Sequence, residues 1–195
     1  AAGEFGRAIE LLEAMPQGGL TGYQREYLLM LALLRNGEKD RAVAESKQLL
    51  ARAGDDPTVR NLVASVFAAA GERDAGRAQF NEALKLKPND PETLLNLARL
   101  DLAEGKTADA ERHFQAVLQQ DPKNLVATLG AAVAAGTGGD AAGAEKWLQK
   151  ANADHPQSNE VKLAMAQFYV GRRDFAKGRA PRGAGGKGMP GAAPI

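Results

Sequence analysis

Along most of the chain, apolar residues recur at steps of three and four, and short polar clusters containing Gly, Pro, Asp or Asn interrupt them. That spacing gathers the apolar side chains on one face of a helix. It predicts helices over residues 4–15, 23–35, 40–53, 58–70, 75–86, 92–103, 107–120, 125–135, 141–152 and 159–170. The run from Tyr27 to Leu34, YLLMLALL, is apolar all round and predicts a helix buried on most of its faces. Alanine and leucine dominate while aromatics make up only 5% of the chain, which suits an all-α fold.

The helices come in pairs that keep a fixed beat. Gly37, Gly71, Gly105 and Gly139 stand 34 residues apart, with Gly3 one step earlier. Ala8, Ala42, Gly76, Ala110, Ala144 and Gly178 form a column of small residues on the same beat. Leu12, Ser46, Phe80, Phe114 and Leu148 form another, and Met30, Ala64, Ala98, Ala132 and Ala166 a third. Gly54 is followed by Pro88, Pro122 and Pro156. A constant period of this length marks a stack of repeats. Each column has a physical task. Glycine takes the left-handed conformation that ends the first helix of a pair. Small residues let two antiparallel helices cross closely, and Phe or Leu fills the space beside the crossing. Proline closes the second helix, while Asp56-Pro57 and Asp90-Pro91 read as an N-cap followed by proline at the first helical position.

Small residues at positions 8 and 20, Phe at 24 and Pro at 32 of a 34-residue unit form the tetratricopeptide repeat pattern, and the chain is identified as a member of that family. The resemblance implies an all-α, right-handed α-solenoid of about ten helices. The repeats predict one solenoid over residues 3–178: a half repeat at 3–16, full repeats near 23–54, 57–88, 91–122 and 125–156, and a partial repeat at 159–178. Residues 174–178, DFAKG, match the start of a second helix, but 179–195 are rich in Gly and Pro and predict a disordered tail. That tail carries Arg179, Arg182 and Lys187 without an acid; a disordered end is favoured over a nucleic-acid arm. The opening Ala1-Ala2-Gly3 falls inside a repeat, so the start is expected to be a cut in a longer protein.

Charge and chemistry narrow the function. The net charge of +1 gives no bulk field for nucleic acid or an anionic membrane, and no cysteine is present for disulfides or thiol catalysis. No apolar run approaches the roughly 18 residues a membrane-spanning helix needs. The two histidines, His113 and His155, have no second ligand at metal spacing and read as surface residues. Gly136 to Asp140 has the glycine content of a phosphate loop without its Lys-Ser/Thr ending, at a place where the repeat needs a turn. Trp147 is expected to cover the stack or to lie on its outer side. No enzyme, cofactor or metal site is expected. What remains is binding of a protein or peptide.

By resemblance to the family, positions 2, 5, 9 and 12 of each repeat face a concave groove lined by the first helices. In this chain the expected partner-binding residues are Gln24, Tyr27, Asn61, Ser65, Glu92, Leu95, Arg99, Leu129 and Gln167. Co-chaperone members of the family clamp a terminal carboxylate with Lys, Asn and Arg at such positions; here Asn61 and Arg99 stand without lysines. An apolar strip flanked by these two suits a helix or an extended segment, and about half of the leucines are expected to pack within the stack. Self-association through the unpaired terminal helices is a further expectation. The wording of residues 94–124 and 139–178 also resembles the tetratricopeptide lipoproteins of the PEP-CTERM/exosortase sorting system of Gram-negative bacteria. That resemblance implies a periplasmic or lipid-anchored scaffold in exopolysaccharide production or protein sorting. The alternatives are a cytosolic co-chaperone or scaffold, or the targeting arm of a larger enzyme.

Overall fold

Gly37, Gly71, Gly105 and Gly139 all take positive φ, at +87°, +104°, +74° and +90°, so the column read from the sequence is a column of left-handed turns. In the computed structural model, which describes residues 2–16 and 23–172, these turns join helices into antiparallel pairs. The elements are α1 (Ala2–Ala14), α2 (Gln24–Arg35), α3 (Lys39–Ala53), α4 (Pro57–Ala70) and α5 (Arg73–Leu86). They continue as α6 (Pro91–Ala103), α7 (Thr107–Gln120), α8 (Leu125–Thr137), α9 (Ala141–Asp154) and α10 (Asn159–Gly171). These ten helices, with no strand among the described residues, form an α-solenoid. The expected partial helix at 174–178 and the tail 179–195 lie outside the described residues.

The caps explain the bounds. Asp56 accepts from the Thr58 N–H at 2.8 Å and Asp90 from the Thr93 N–H at 3.0 Å, with Pro57 and Pro91 opening the helices. Asn124, Asp140 and Ser158 cap α8, α9 and α10 in the same way.

Each helix packs on its neighbours in sequence, and the first helices of the pairs also touch one another, α2 on α4, α4 on α6 and α6 on α8. The stack therefore curves with these helices on its inner wall. The small column works as expected. A Cβ on Gly76 would stand 2.8 Å from the Ala64 carbonyl oxygen, and Ala42, Ala110 and Ala144 are buried at their own crossings. Beside them Phe80, Phe114 and Leu148 are buried, Phe80 and Phe114 in two apolar clusters that share the half-buried Leu84. Trp147 is half-buried against the Phe114 cluster.

Three expectations need correction. The YLLMLALL run is not buried on most faces: Leu29, Met30, Ala32 and Leu33 are, but Tyr27 and Leu28 are 44% and 39% exposed. The helices α1, α3 and α4 leave one side of α2 open. His113 is not a free surface residue, because its Nδ1 lies 2.9 Å from Oδ2 of the fully buried Asp101. His155 is half-buried, with Nε2 2.7 Å from the Lys123 carbonyl oxygen, which fastens the end of α9 to the loop before α8.

Candidate functional site

The capped starts of α4 and α6 set which of their residues look inward. One and two turns past Pro57, Asn61 and Ser65 face Asn96 of α6. The Asn96 amide donates to Asn61 Oδ1 at 3.2 Å and lies 3.5 Å from Ser65 Oγ, while Arg99 donates to Asn96 Oδ1 at 3.0 Å. Ser65 Oγ itself donates to the Asn61 carbonyl at 2.9 Å. A string of polar groups thus crosses from α6 to α4 on the inner wall.

Two hollows flank this string. The first, about 440 Å³, is lined by Tyr27 of α2, Thr58, Asn61, Leu62 and Ser65 of α4, and Glu92 and Asn96 of α6. The second, about 270 Å³, is lined by Ser65, Ala68, Arg73, Asn96, Arg99, Leu100 and Ala103. Ser65 and Asn96 belong to both, so they form one groove. Its charges are segregated, with Glu92 in the first hollow and Arg73 and Arg99 in the second. Tyr27 adds an exposed aromatic face at the α2 side.

Behind the wall, ion pairs hold α6 in place. Arg77 of α5 lies 2.6 Å from Asp101 and 2.7 Å from Glu104, which also meets Lys106 at 2.7 Å. Burial works to lower the Arg77 pKa, but Asp101 and Glu104 outweigh it and hold the guanidinium above its ordinary value. Lys106 chiefly, with Arg77 adding to it, keeps Glu104 below the carboxylate range against the opposing effect of burial. Among the described residues, no group of His, Cys, Asp and Glu could hold a metal ion, and no helix is long and apolar enough to cross a membrane.

Tetratricopeptide repeat models match residues 27–91, which include the α2 and α4 sides of this groove, and residues 101–168. The chain belongs to the tetratricopeptide repeat family. A tetratricopeptide repeat protein from Parabacteroides merdae ATCC 43184 superposes with a TM-score of 0.71 at 22% identity, over 90% of this chain and 70% of that one. The thermophilic protein TTC0263 of Thermus thermophilus gives 0.68 at 16% identity, over 86% and 92%. MamA (41–end) of Desulfovibrio magneticus RS-1 gives 0.65 at 18%, over 80% and 88%. At these identities the likeness is one of fold. No curated protein matches the chain.

Within these tetratricopeptide repeats, the residues expected on the concave face separate into groups. Tyr27, Asn61, Ser65 and Glu92 line the first hollow and Arg99 the second. Leu129 and Gln167 line a separate hollow of about 290 Å³ between α8 and α10. Gln24 is exposed in the first turn of α2 and lines none of these hollows. Leu95 is half-buried and packs against the Phe114 cluster, so it serves the stack. Sequence reasoning missed Asn96 and Arg73. Asn96 carried a readable signal: its column is Leu28, Leu62, Asn96, Gly130 and Ala164, and it alone is polar.

Proposed function

We propose that this tetratricopeptide repeat protein is a non-catalytic interaction scaffold that holds an extended peptide segment along the inner wall of α2, α4 and α6. The observation that carries this reading is the Arg99–Asn96–Asn61 string in the middle of the groove. A helical ligand satisfies its own backbone and asks only for an apolar trough. An extended ligand brings unpaired N–H and C=O groups, and a carboxamide offers both a donor and an acceptor to them. Glu92 against Arg73 and Arg99 gives the groove a direction, with basic groups of the ligand toward Glu92 and acidic ones toward the arginines.

The test is selection of peptides from a random display library on the 195-residue chain, followed by titration calorimetry with the selected sequences. Asn96→Ala with Arg99→Ala should weaken them by about tenfold or more, roughly the worth of one or two charge-assisted hydrogen bonds. The helical circular dichroism should stay unchanged. Equal affinity for the double variant would move the site off this groove.

As to setting, the reading places the scaffold at the envelope of a Gram-negative cell, in exopolysaccharide production or protein sorting. It is supported by the wording of residues 94–124 and 139–178. Fractionation of the native protein decides it: release from membranes by detergent but not by salt fits an anchored scaffold, and recovery in the cytosol overturns that setting.

A further inference from the structure

Beyond the Asn96 string the inner groove opens into a hollow lined by positive charge and by no acid. Of the seven arginines from Arg41 to Arg112, four meet a carboxylate. Arg41 pairs with Glu13 and Glu38, Arg52 with Glu26, Arg77 with Asp101 and Glu104, and Arg112 with Asp109. A fifth, Arg60, donates to the Gln79 amide oxygen at 2.7 Å. The two that remain, Arg73 and Arg99, form no ion pair among the described residues. Both line the same hollow of about 270 Å³.

Two separate elements bring these guanidinium groups together. Arg73 is the first residue of α5, just past the left-handed Gly71, and Arg99 stands in the third turn of α6. Asn96 Oδ1 accepts from Arg99 at 3.0 Å and fixes one edge of its guanidinium. The neutral donors nearby are already engaged, the Asn96 amide with Asn61 Oδ1 and the Ser65 hydroxyl with the Asn61 carbonyl. An anion in the hollow therefore takes its hydrogen bonds from the arginines, each of which carries five N–H donors. Their joint charge selects the anion. A carboxylate balances one guanidinium, whereas a phosphate monoester carries about −1.5 to −2 at neutral pH and three acceptor oxygens, which balances both.

The other hollow sets the register. Glu92 lies seven residues before Arg99 on α6, two turns or about 10 Å along the axis. An extended segment covers that span in about three residues. Glu92 repels a phosphate and accepts a basic side chain, and the exposed Tyr27 ring lining the same hollow favours a cation further.

We infer that the Arg73–Arg99 hollow is a site for a phosphorylated side chain of the bound segment, with a basic residue of that segment about three positions away at Glu92. The inference rests on the reading of the groove as a peptide site and names the segment it takes. An unmodified segment lacks the anchor, so the scaffold holds its partner only after phosphorylation.

Three peptide libraries on the 195-residue chain test this, each with random flanks around one fixed residue: phosphoserine, glutamate or serine. The phosphoserine library should be retained over the other two, with Lys or Arg selected about three positions from the phosphate. In titration calorimetry with the selected peptide, Arg73→Ala and Arg99→Ala should each weaken binding by about tenfold or more. Glu92→Ala should abolish the preference for the basic residue and keep that for phosphate. All three side chains are exposed, so the fold should survive. Equal retention of the glutamate library would assign the hollow to a carboxylate and overturn the inference. So would phosphopeptide affinity unchanged in both arginine variants, or a basic residue selected at no fixed spacing. Peptides bound without preference for phosphate, yet weakened by Asn96→Ala with Arg99→Ala, would keep the groove as a peptide site and overturn the phosphate site alone.

Discussion

Gly130 shows how one residue carries the packing of a repeat. It sits in the middle of α8, where glycine costs about 1 kcal/mol relative to alanine on helix propensity alone. Yet a Cβ there would stand 2.4 Å from the ring of Phe114. The ring is buried against the α8 backbone, and the alanines around it, Ala127, Ala131 and Ala134, keep the wall low enough to receive it. Gly130→Ala should therefore destabilise the fold by about 1–3 kcal/mol through overpacking, despite the better propensity. Phe114→Leu in the same chain should recover part of that loss, read as a double-mutant cycle in urea denaturation. Additive costs would show that ring and glycine do not share a space. Asp101 is the counterpart among polar residues. Its column is otherwise Leu33, Phe67, Ala135 and Tyr169, where every other member is apolar or aromatic. The carboxylate is tolerated because Arg77 and His113 from the neighbouring helices reach it.

At the scale of the helix, ends matter more than middles. Helices of 12 to 15 residues are too short to be stable alone, so their caps and their packing decide them. Asp90 does two jobs at the start of α6, accepting from the Thr93 N–H and hydroxyl and pairing with Lys87 at 2.7 Å. Burial pushes its carboxyl up, but Lys87 and Thr93 outweigh that and hold it below the ordinary carboxylate range. A lowered folded pKa means stability that is complete above the unfolded value and is lost as pH falls through the folded one. Asp109 and Asp154, lowered chiefly by Arg112 and Lys150, act in the same direction. The melting temperature should be flat from neutral pH to about 5 and fall below about 4. Asp90→Ala should cost about 1 kcal/mol at neutral pH and make the acid fall shallower. An unchanged acid slope would remove Asp90 from the account. These ends were readable in advance, and the predicted helices 107–120 and 159–170 lie within a residue of those observed. A cap, a proline and a left-handed glycine act within one turn of chain. The helices α8 and α9 each run two residues past the predicted ends at 135 and 152, and Gly136, expected in the turn, continues α8 instead.

Across the whole molecule, the helix contacts run between neighbouring repeats, which makes stability a sum of local terms. Amide exchange should then be fastest in α1 and α10, each packed on a single helix among the described residues, and slowest from α4 to α7. Uniform protection along the chain would contradict this gradient. The same locality divides what could be read from what could not. The sequence by itself determined the period, the helix pairs, the left-handed turns and the small crossings, because each depends on residues within one repeat. Resemblance to the family, rather than the period itself, pointed to Tyr27, Asn61, Ser65, Glu92 and Arg99, which line the two hollows. Only the tertiary structure decided that Asn96 joins Asn61, that Leu95 packs against the Phe114 cluster, and that Asp101 meets Arg77 and His113. Those pairings depend on how far one helix is rotated against the next, and that rotation is set by the volumes packed between them.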